Sequence, residues 1–249
     1  MKILVCLGHV PDTTTKVKFV ENNTRFDQTG VQWVINPWDE LALTRALEIK
    51  EDAGNSFNSV TVITVGDLSV EPTIRKALAI GADNGIRVDL QPADSGVVAA
   101  QLAEVIKNDP YDLILCGIES SDYNGSAVGG MLAEHLDYPS VSAVSSINYE
   151  GGIFDLNRDI DGGFETISCP FPFVAIVQKG IAKEPRIPAM RGIMMARKKP
   201  LSVVKPVDAE ALSKFISFSL PLAKPPCKMV DPDNVKELVD LLMNEAKVL

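Results

Sequence analysis

The chain has 249 residues, 46% apolar and 23% charged, with 24 Lys and Arg against 33 Asp and Glu, a formal net charge of −9. That length can bury a substantial core in one large domain with an appendage, and the composition excludes a disordered or collagen-like chain. The acidic balance argues against non-specific nucleic-acid binding, which needs many cations to displace counterions from phosphates, and no stretch reaches the roughly 20 apolar residues of a membrane span.

In chain order, "KILVCL" (2–7), "SVTVITVG" (59–66), "GIRVDL" (85–90) and "YDLILCG" (111–117) are continuous β-branched and apolar runs, the pattern of strands buried on both faces. Helical patterns lie between them. "DELALTRALEIKED" (39–52) gathers Leu41, Ala42, Ala46, Leu47 and Ile49 on one face; "SVEPTIRKALAIGA" (69–82) opens with Ser69 as a cap and closes at Gly81; "SGVVAAQLAEVIKND" (95–109) repeats the pattern. Strand–helix–strand alternation predicts an α/β fold: a Rossmann-like parallel sheet with right-handed crossovers and flanking helices. After Pro139, strand-like pieces separated by Gly pairs predict a meander or edge strands. From Pro200 to Pro232 prolines interrupt the chain before "NVKELVDLLMNEAKVL" (234–249) resumes helical periodicity, which predicts an extended arm ending in a helix. The expected division is a Rossmann-like nucleotide-binding domain over 1–198 and a C-terminal arm over 199–249.

Several constellations could carry chemistry. "CGIESSDYNGSAVGGMLAEHLDYP" (116–139) follows the fourth strand with a small-residue turn and a helix, so Asp122, Asn124, Gly125, Ser126, Gly129 and Gly130 can present backbone N–H groups and a helix dipole to a phosphate. The alternative is a tight turn with close helix packing. No G-x-G-x-x-G follows the first strand and no G-x-x-x-x-G-K-[ST] occurs, so neither a dinucleotide fingerprint nor a Walker ATPase is supported. In "NPWDE" (36–40), Asn36 and Pro37 either shape a helix start or Asn36 reads a base or sugar. "RDIDGGFET" (158–166) reads as a sharp turn between two strands with an ion pair, over a carboxylate catalytic pair. His9 and His135 lack a triad partner, and no nucleophile stands beside a base. Cys6, Cys116, Cys169 and Cys227 are far apart, with no C-x-x-C pair, so a metal site is not expected; with no signal-like start, a reducing, cytoplasmic setting is. "EPRIPAMRGIMMARKKP" (184–200) sets Met190, Met194 and Met195 among five basic side chains without helical or strand periodicity.

"INPWDELALTRALEIKE", "EPTIRKALAIGAD", "LILCGIESSDYNG", "RDIDGGFET" and "EPRIPAMRGIMMARKK" occur in the order and spacing of the beta (small) subunit of electron-transfer flavoprotein, and the chain resembles that family nearly end to end. The resemblance implies a heterodimer in which a larger alpha subunit holds most of the FAD, while this chain buries a structural AMP and wraps its C-terminal arm around the partner. It implies an electron carrier with no catalytic residues of its own. Electrons would come from acyl-CoA dehydrogenases and similar flavoenzymes in fatty acid β-oxidation, and leave toward a quinone oxidoreductase at the membrane; the redox chemistry belongs to the flavin.

Carried over by motif, the AMP site would comprise Cys6, Asn36, Pro37, Trp38, Asp39, Val65, Gly117, Ile118, Asp122, Asn124, Gly125, Ser126, Ala127, Val128 and Gly129, with backbone groups at Cys6 and Val65 meeting adenine. Relatives often have Gln and Thr at Ala127 and Val128, so phosphate binding leans on Ser126, Gly129 and backbone N–H groups; Thr13 stands where some relatives bring a Tyr to the flavin. A partner-recognition loop over about 179–199 would anchor Met190 in a dehydrogenase pocket, with Arg186 and Arg191 steering acidic surfaces, while Asp159 would meet an Arg of the alpha subunit. Two alternatives stay open: an electron-bifurcating flavoprotein with a second FAD in place of AMP, and a free-standing adenine-nucleotide sensor of universal-stress-protein type.

Overall fold

The fold is known from a computed structural model, which describes residues 1–52, 56–150, 152–224 and 226–249. The strands are β1 (Lys2–Cys6), β2 (His9–Pro11), β3 (Phe19–Val20), β4 (Arg25–Phe26), β5 (Trp33–Ile35), β6 (Ser59–Val65), β7 (Asn84–Val88), β8 (Leu113–Gly117), β9 (Ser140–Glu150), β10 (Ile153–Ile160), β11 (Gly163–Cys169), β12 (Phe173–Val177) and β13 (Leu201–Val204). The helices are α1 (Pro37–Glu51), α2 (Glu71–Ile80), α3 (Ser95–Asn108), α4 (Val128–Leu136), α5 (Met190–Ala196) and α6 (Val235–Leu241), the last running into a π-helical turn over Leu242–Ala246.

The four apolar runs become β1, β6, β7 and β8, as their unbroken Val, Ile and Leu content predicts. They stand side by side in one nine-stranded sheet, ordered β11-β10-β9-β12-β8-β1-β6-β7-β13. Every pairing from β9 to β13 in that order is parallel, while β9–β10 and β10–β11 are antiparallel. The predicted meander is therefore the β9–β11 edge. β12 leaves it and inserts between β9 and β8, and its five residues are all buried. Periodicity cannot foresee that step, because a short apolar run reads the same at an edge and in the interior.

Alternate residues of each central strand point to opposite faces. Ile3, Val5, Val60, Val62, Leu113 and Leu115 join the core under α1 and α2; Leu4, Ile63 and Ile114 join the core under α3 and α4. Each such side chain contributes about 1.5–3 kcal/mol when withdrawn from water. On α1 Leu43 and Leu47 are fully buried, with Leu41 only half-buried, since Leu43, Ala46 and Leu47 share the i, i+3, i+4 face toward the sheet. The start of α2 also differs from expectation. Ser69 does not cap it; Asp67 accepts the Ser69 backbone N–H at 2.9 Å and caps a 3-10 turn over Leu68–Val70 that leads into the helix. Gly81 closes α2 at φ +154°, where a Cβ would lie 2.8 Å from Leu47 Cδ1.

The 184–200 segment, expected to be irregular, contains α5. Gly192 permits it, because a Cβ there would meet the Ala79 carbonyl oxygen of α2 at 2.3 Å, and only glycine lets the two helices come this close. Beyond β13, residues 205–234 form neither strand nor helix among the described residues.

Candidate functional site

The residues of "NPWDE" and of the loop after β8 come together at the carboxyl ends of β1 and β8, which stand next to β6 in the sheet. Asp39, in the first turn of α1, accepts the Gly8 N–H at 2.7 Å through Oδ2 and the Gly117 N–H at 2.8 Å through Oδ1, so one carboxylate ties the ends of β1 and β8 together. It is only 5% exposed. Burial pushes its pKa up to about 6, against the opposing pull of bonds from Gly8, the Asn36 side chain and Gly117. Gly117 has to be glycine, since a Cβ would lie 2.3 Å from Asp39 Oδ1 and 2.7 Å from Trp38 Cβ.

Asn36, at the N-terminus of α1, is 2% exposed and turns its amide to the chain itself. Nδ2 donates to the Glu119 carbonyl at 2.8 Å and Oδ1 accepts the Ser121 N–H at 3.1 Å. Both atoms hold the loop after β8. Pro37 opens the helix at a position where a missing N–H costs nothing, and Trp38 packs beside Gly117.

That loop, residues 118–127, carries Asp122, Asn124, Gly125 and Ser126, all exposed. Asn124 (φ +50°) and Ser126 (φ +48°) are left-handed, and the Asn124 N–H closes the turn on the Ser120 carbonyl at 2.9 Å. α4 follows with no side-chain cap. The Met131 N–H donates to the Ala127 carbonyl at 3.0 Å, and the amides of Val128, Gly129 and Gly130 precede the helical ladder. A Cβ on Gly129 would lie 2.7 Å from Ile176 Cγ1 and 3.4 Å from Cys116 Cβ, so this first turn rests directly on β8 and β12. The close packing comes from Gly129, and the amides ahead of the ladder from the helix start itself. Cys6, Val65 and Ile118 lie on this α3–α4 face of the sheet, whereas Asn36 and Asp39 clamp from the α1 side.

No nucleophile emerges. Cys6 and Cys116 are buried neighbours whose thiols hydrogen-bond; that bond first, then burial, raises the Cys6 pKa well above the usual thiol range, so it stays protonated at neutral pH. His9 stacks on Trp33 with centroids 4.6 Å apart and shares a 2.7 Å hydrogen bond with Thr73 Oγ1. Burial lowers its pKa. His135 is exposed on α4. Among the described residues no group of three His, Cys, Asp or Glu is placed to hold a metal, and no helix is long and apolar enough to cross a membrane.

The other motifs lie elsewhere. "RDIDGGFET" is the β10–β11 turn, with Arg158 directly opposite Glu165 and paired to it at 3.0 Å. Asp159 accepts from Ser145 Oγ at 2.8 Å and from Gln178 Nε2. In the 184–200 segment the basic residues divide into two groups. Arg186 makes a two-pronged ion pair with Glu51 at 2.7 and 2.8 Å, and Lys199 donates to the Leu78 and Ala82 carbonyls at the end of α2. Arg191, Arg197 and Lys198 are exposed beside Met190, which is 77% exposed.

Sequence reasoning missed Gly8, Glu119 and Ser121 as partners of the clamp, and Asp94, Gln101 and Tyr123 as anchors of the C-terminal arm. A signal existed for two of these. Asp94 immediately precedes a helical pattern as a cap should, and its carboxylate accepts the Val97 N–H at 2.9 Å. Gln101 is a polar residue in the apolar stripe of α3.

Comparison with known proteins shows the family. The profile of the Electron transfer flavoprotein domain family matches residues 24–209. The chain is 33% identical over 263 residues to "Electron transfer flavoprotein subunit beta" of Bacillus subtilis, covering all of both chains. It is 34% identical over 253 residues to the protein so named from Syntrophomonas wolfei, covering all of this chain and 98% of that one. With its human namesake it shares 33% identity over 213 residues, 84% of this chain and 82% of the other.

Proposed function

The chain belongs to the electron transfer flavoprotein family as a beta-type subunit, and on that premise we propose that it pairs with a larger alpha subunit and buries an AMP at the strand-end cleft. A member of this kind is an electron carrier. In the proposed heterodimer FAD accepts electrons from acyl-CoA dehydrogenases and related flavoenzymes and passes them toward a quinone oxidoreductase, in the cytoplasm.

The uncapped first turn of α4 is the observation that carries the nucleotide reading. The amides of Val128, Gly129 and Gly130, beside left-handed Asn124 and Ser126, suit a phosphate without any basic side chain. Adenine would lie across the ends of β1 and β6 at Cys6 and Val65. Asn36 and Asp39 act as positioning residues, holding loop and strand ends where those amides converge. For the flavin this chain offers less: Thr13, exposed in the turn after β2, is a small hydroxyl where a larger ring would be needed for stacking. Most of the FAD contact therefore falls to the alpha subunit.

Docking is assigned to the 184–200 segment. The Arg186–Glu51 pair and Lys199 fix its two ends, leaving Met190 free to enter an apolar pocket and Arg191 to steer acidic surfaces. Asp159 would meet a basic side chain of the alpha subunit.

Co-expression with a candidate alpha subunit, followed by denaturation and chromatography of the released cofactors, tests the reading. One FAD and one AMP per heterodimer is the expected result, and the chain expressed alone is colourless. Two FAD would instead identify an electron-bifurcating protein, and a monomer that binds ATP tightly with no flavin partner would overturn the assignment.

A further inference from the structure

We infer that residues 205–218 of the arm form a strap across the mouth of the strand-end cleft, with Phe215 on Tyr123 as its latch, and that opening this strap limits nucleotide exchange. The inference rests on the nucleotide reading of that cleft and adds residues to it. Three separate attachments define the strap. At its start, Gln101 of α3, almost fully buried, donates from Nε2 to the Val207 carbonyl and accepts the Val207 N–H, both at 2.8 Å, as a strand neighbour would. Next, Asp94 Oδ2 accepts the N–H groups of Leu212 at 2.6 Å and Ser213 at 2.7 Å, while Oδ1 of the same carboxylate caps α3. Leu212 sits on Gly96, where a Cβ would come within 2.7 Å of its Cδ1.

Beyond Asp94 the strap crosses to the far rim on an aromatic ladder. Phe215 stacks on Tyr123 at 4.8 Å between ring centroids, Phe218 on Phe215 at 5.5 Å, and Phe19 on Phe218 at 5.1 Å; the Phe218 N–H also donates to the Asn23 carbonyl at 2.7 Å. Tyr123 lies between Asp122 and Asn124 in the loop that leads to the α4 amides, and Phe19 and Asn23 belong to the β3–β4 hairpin. The strap thus joins the first turn of α3, the ligand loop and the hairpin. On the nucleotide reading, the stack between Tyr123 and Phe215 lies over the loop that would hold the phosphate, so its parting is the step that frees the nucleotide.

Phe215 is 52% exposed, so the latch is held by ring contacts and two amides, not by a core. Such a segment belongs to the low-stability end of a fold and opens without global unfolding. For the same reason its substitution leaves the sheet intact.

The test uses the co-purified heterodimer with its bound adenine nucleotide, chased with excess isotopically labelled AMP. Phe215→Ala is expected to exchange about tenfold faster than the unaltered protein, given the ordinary strength of aromatic pairs. Tyr123→Ala should match it, and the double variant should add little, because both remove one shared contact. Equal exchange rates in all four proteins would overturn the strap while leaving the nucleotide site standing. A heterodimer without adenine nucleotide would overturn the site reading itself. The strap is then judged by amide hydrogen exchange over residues 119–127: faster in Phe215→Ala supports it, and unchanged protection overturns it.

Discussion

At the centre of the sheet Ile3, Leu4, Ile63 and Leu113 have no exposed surface, whereas in the arm Ile216 is 82%, Met229 87% and Leu222 96% exposed. Both regions carry large apolar side chains. They differ in whether the chain supplies a second layer to cover them. β1, β6 and β8 lie between helix pairs on both faces, while α6 and the strand-less segment before it contain no buried residue in their helical part and present Leu238 and Val239 outward. The first region is stable by its own packing. The second is held at the few side chains it touches, Gln101, Asp94 and Tyr123, and fits the proposal that another subunit covers the rest.

Substitutions can break this contrast, and the largest effect is expected at the clamp. Asp39→Ala leaves the Gly8 and Gly117 N–H groups buried without an acceptor, at about 1–3 kcal/mol each, so the urea midpoint of the full chain should fall by the equivalent of about 4 kcal/mol. A loss under about 1 kcal/mol would mean water reaches those amides. The pH dependence comes next. Because the folded pKa of Asp39 is raised to about 6, the folded state holds its proton more tightly than the unfolded chain. Its contribution is therefore fully present below about pH 4 and is lost as pH rises toward and through 6, by up to about 3 kcal/mol. Asp39→Asn should lack that slope, so unfolding both proteins between pH 4 and 8 isolates it.

Gly117→Ala forces a methyl against the Asp39 carboxylate and should cost about 2 kcal/mol, readable as a lower Tm; an unchanged Tm would show that α1 can shift away from β8. The arm should give the smallest stability change. Leu222→Ser in the chain alone is expected to move stability by less than about 0.5 kcal/mol, while weakening co-purification with an alpha subunit. Met190→Ala likewise should leave Tm and flavin content unchanged and slow reduction by a dehydrogenase severalfold; equal rates would remove Met190 from the docking surface.

Much of the fold was legible. Four unbroken apolar runs and three amphipathic segments specify a parallel sheet between helices, and Gly pairs after Pro139 specify the antiparallel edge. The position of β12 was not legible, since a buried strand carries no mark of its neighbours. The α5 helix was missed because its stability comes from contact with α2 through Gly192, not from its own periodicity. At the candidate site, the small-residue turn marked Asn124, Gly125, Ser126 and Gly129, but the use made of Asn36 and Asp39 depends on partners 31 to 85 residues away in sequence.

By itself the sequence determined the class of fold and the run of small residues at one helix start, because periodicity and glycine act locally, and its motifs carried the resemblance to the family. Only the tertiary structure decided that Asp39 ties two strand ends, that Asn36 spends its amide on the loop, and that the arm returns to stack Phe215 on Tyr123. Those are distance-dependent contacts between segments far apart in the chain. No local pattern encodes which carboxylate will meet which amide once the sheet has brought them together.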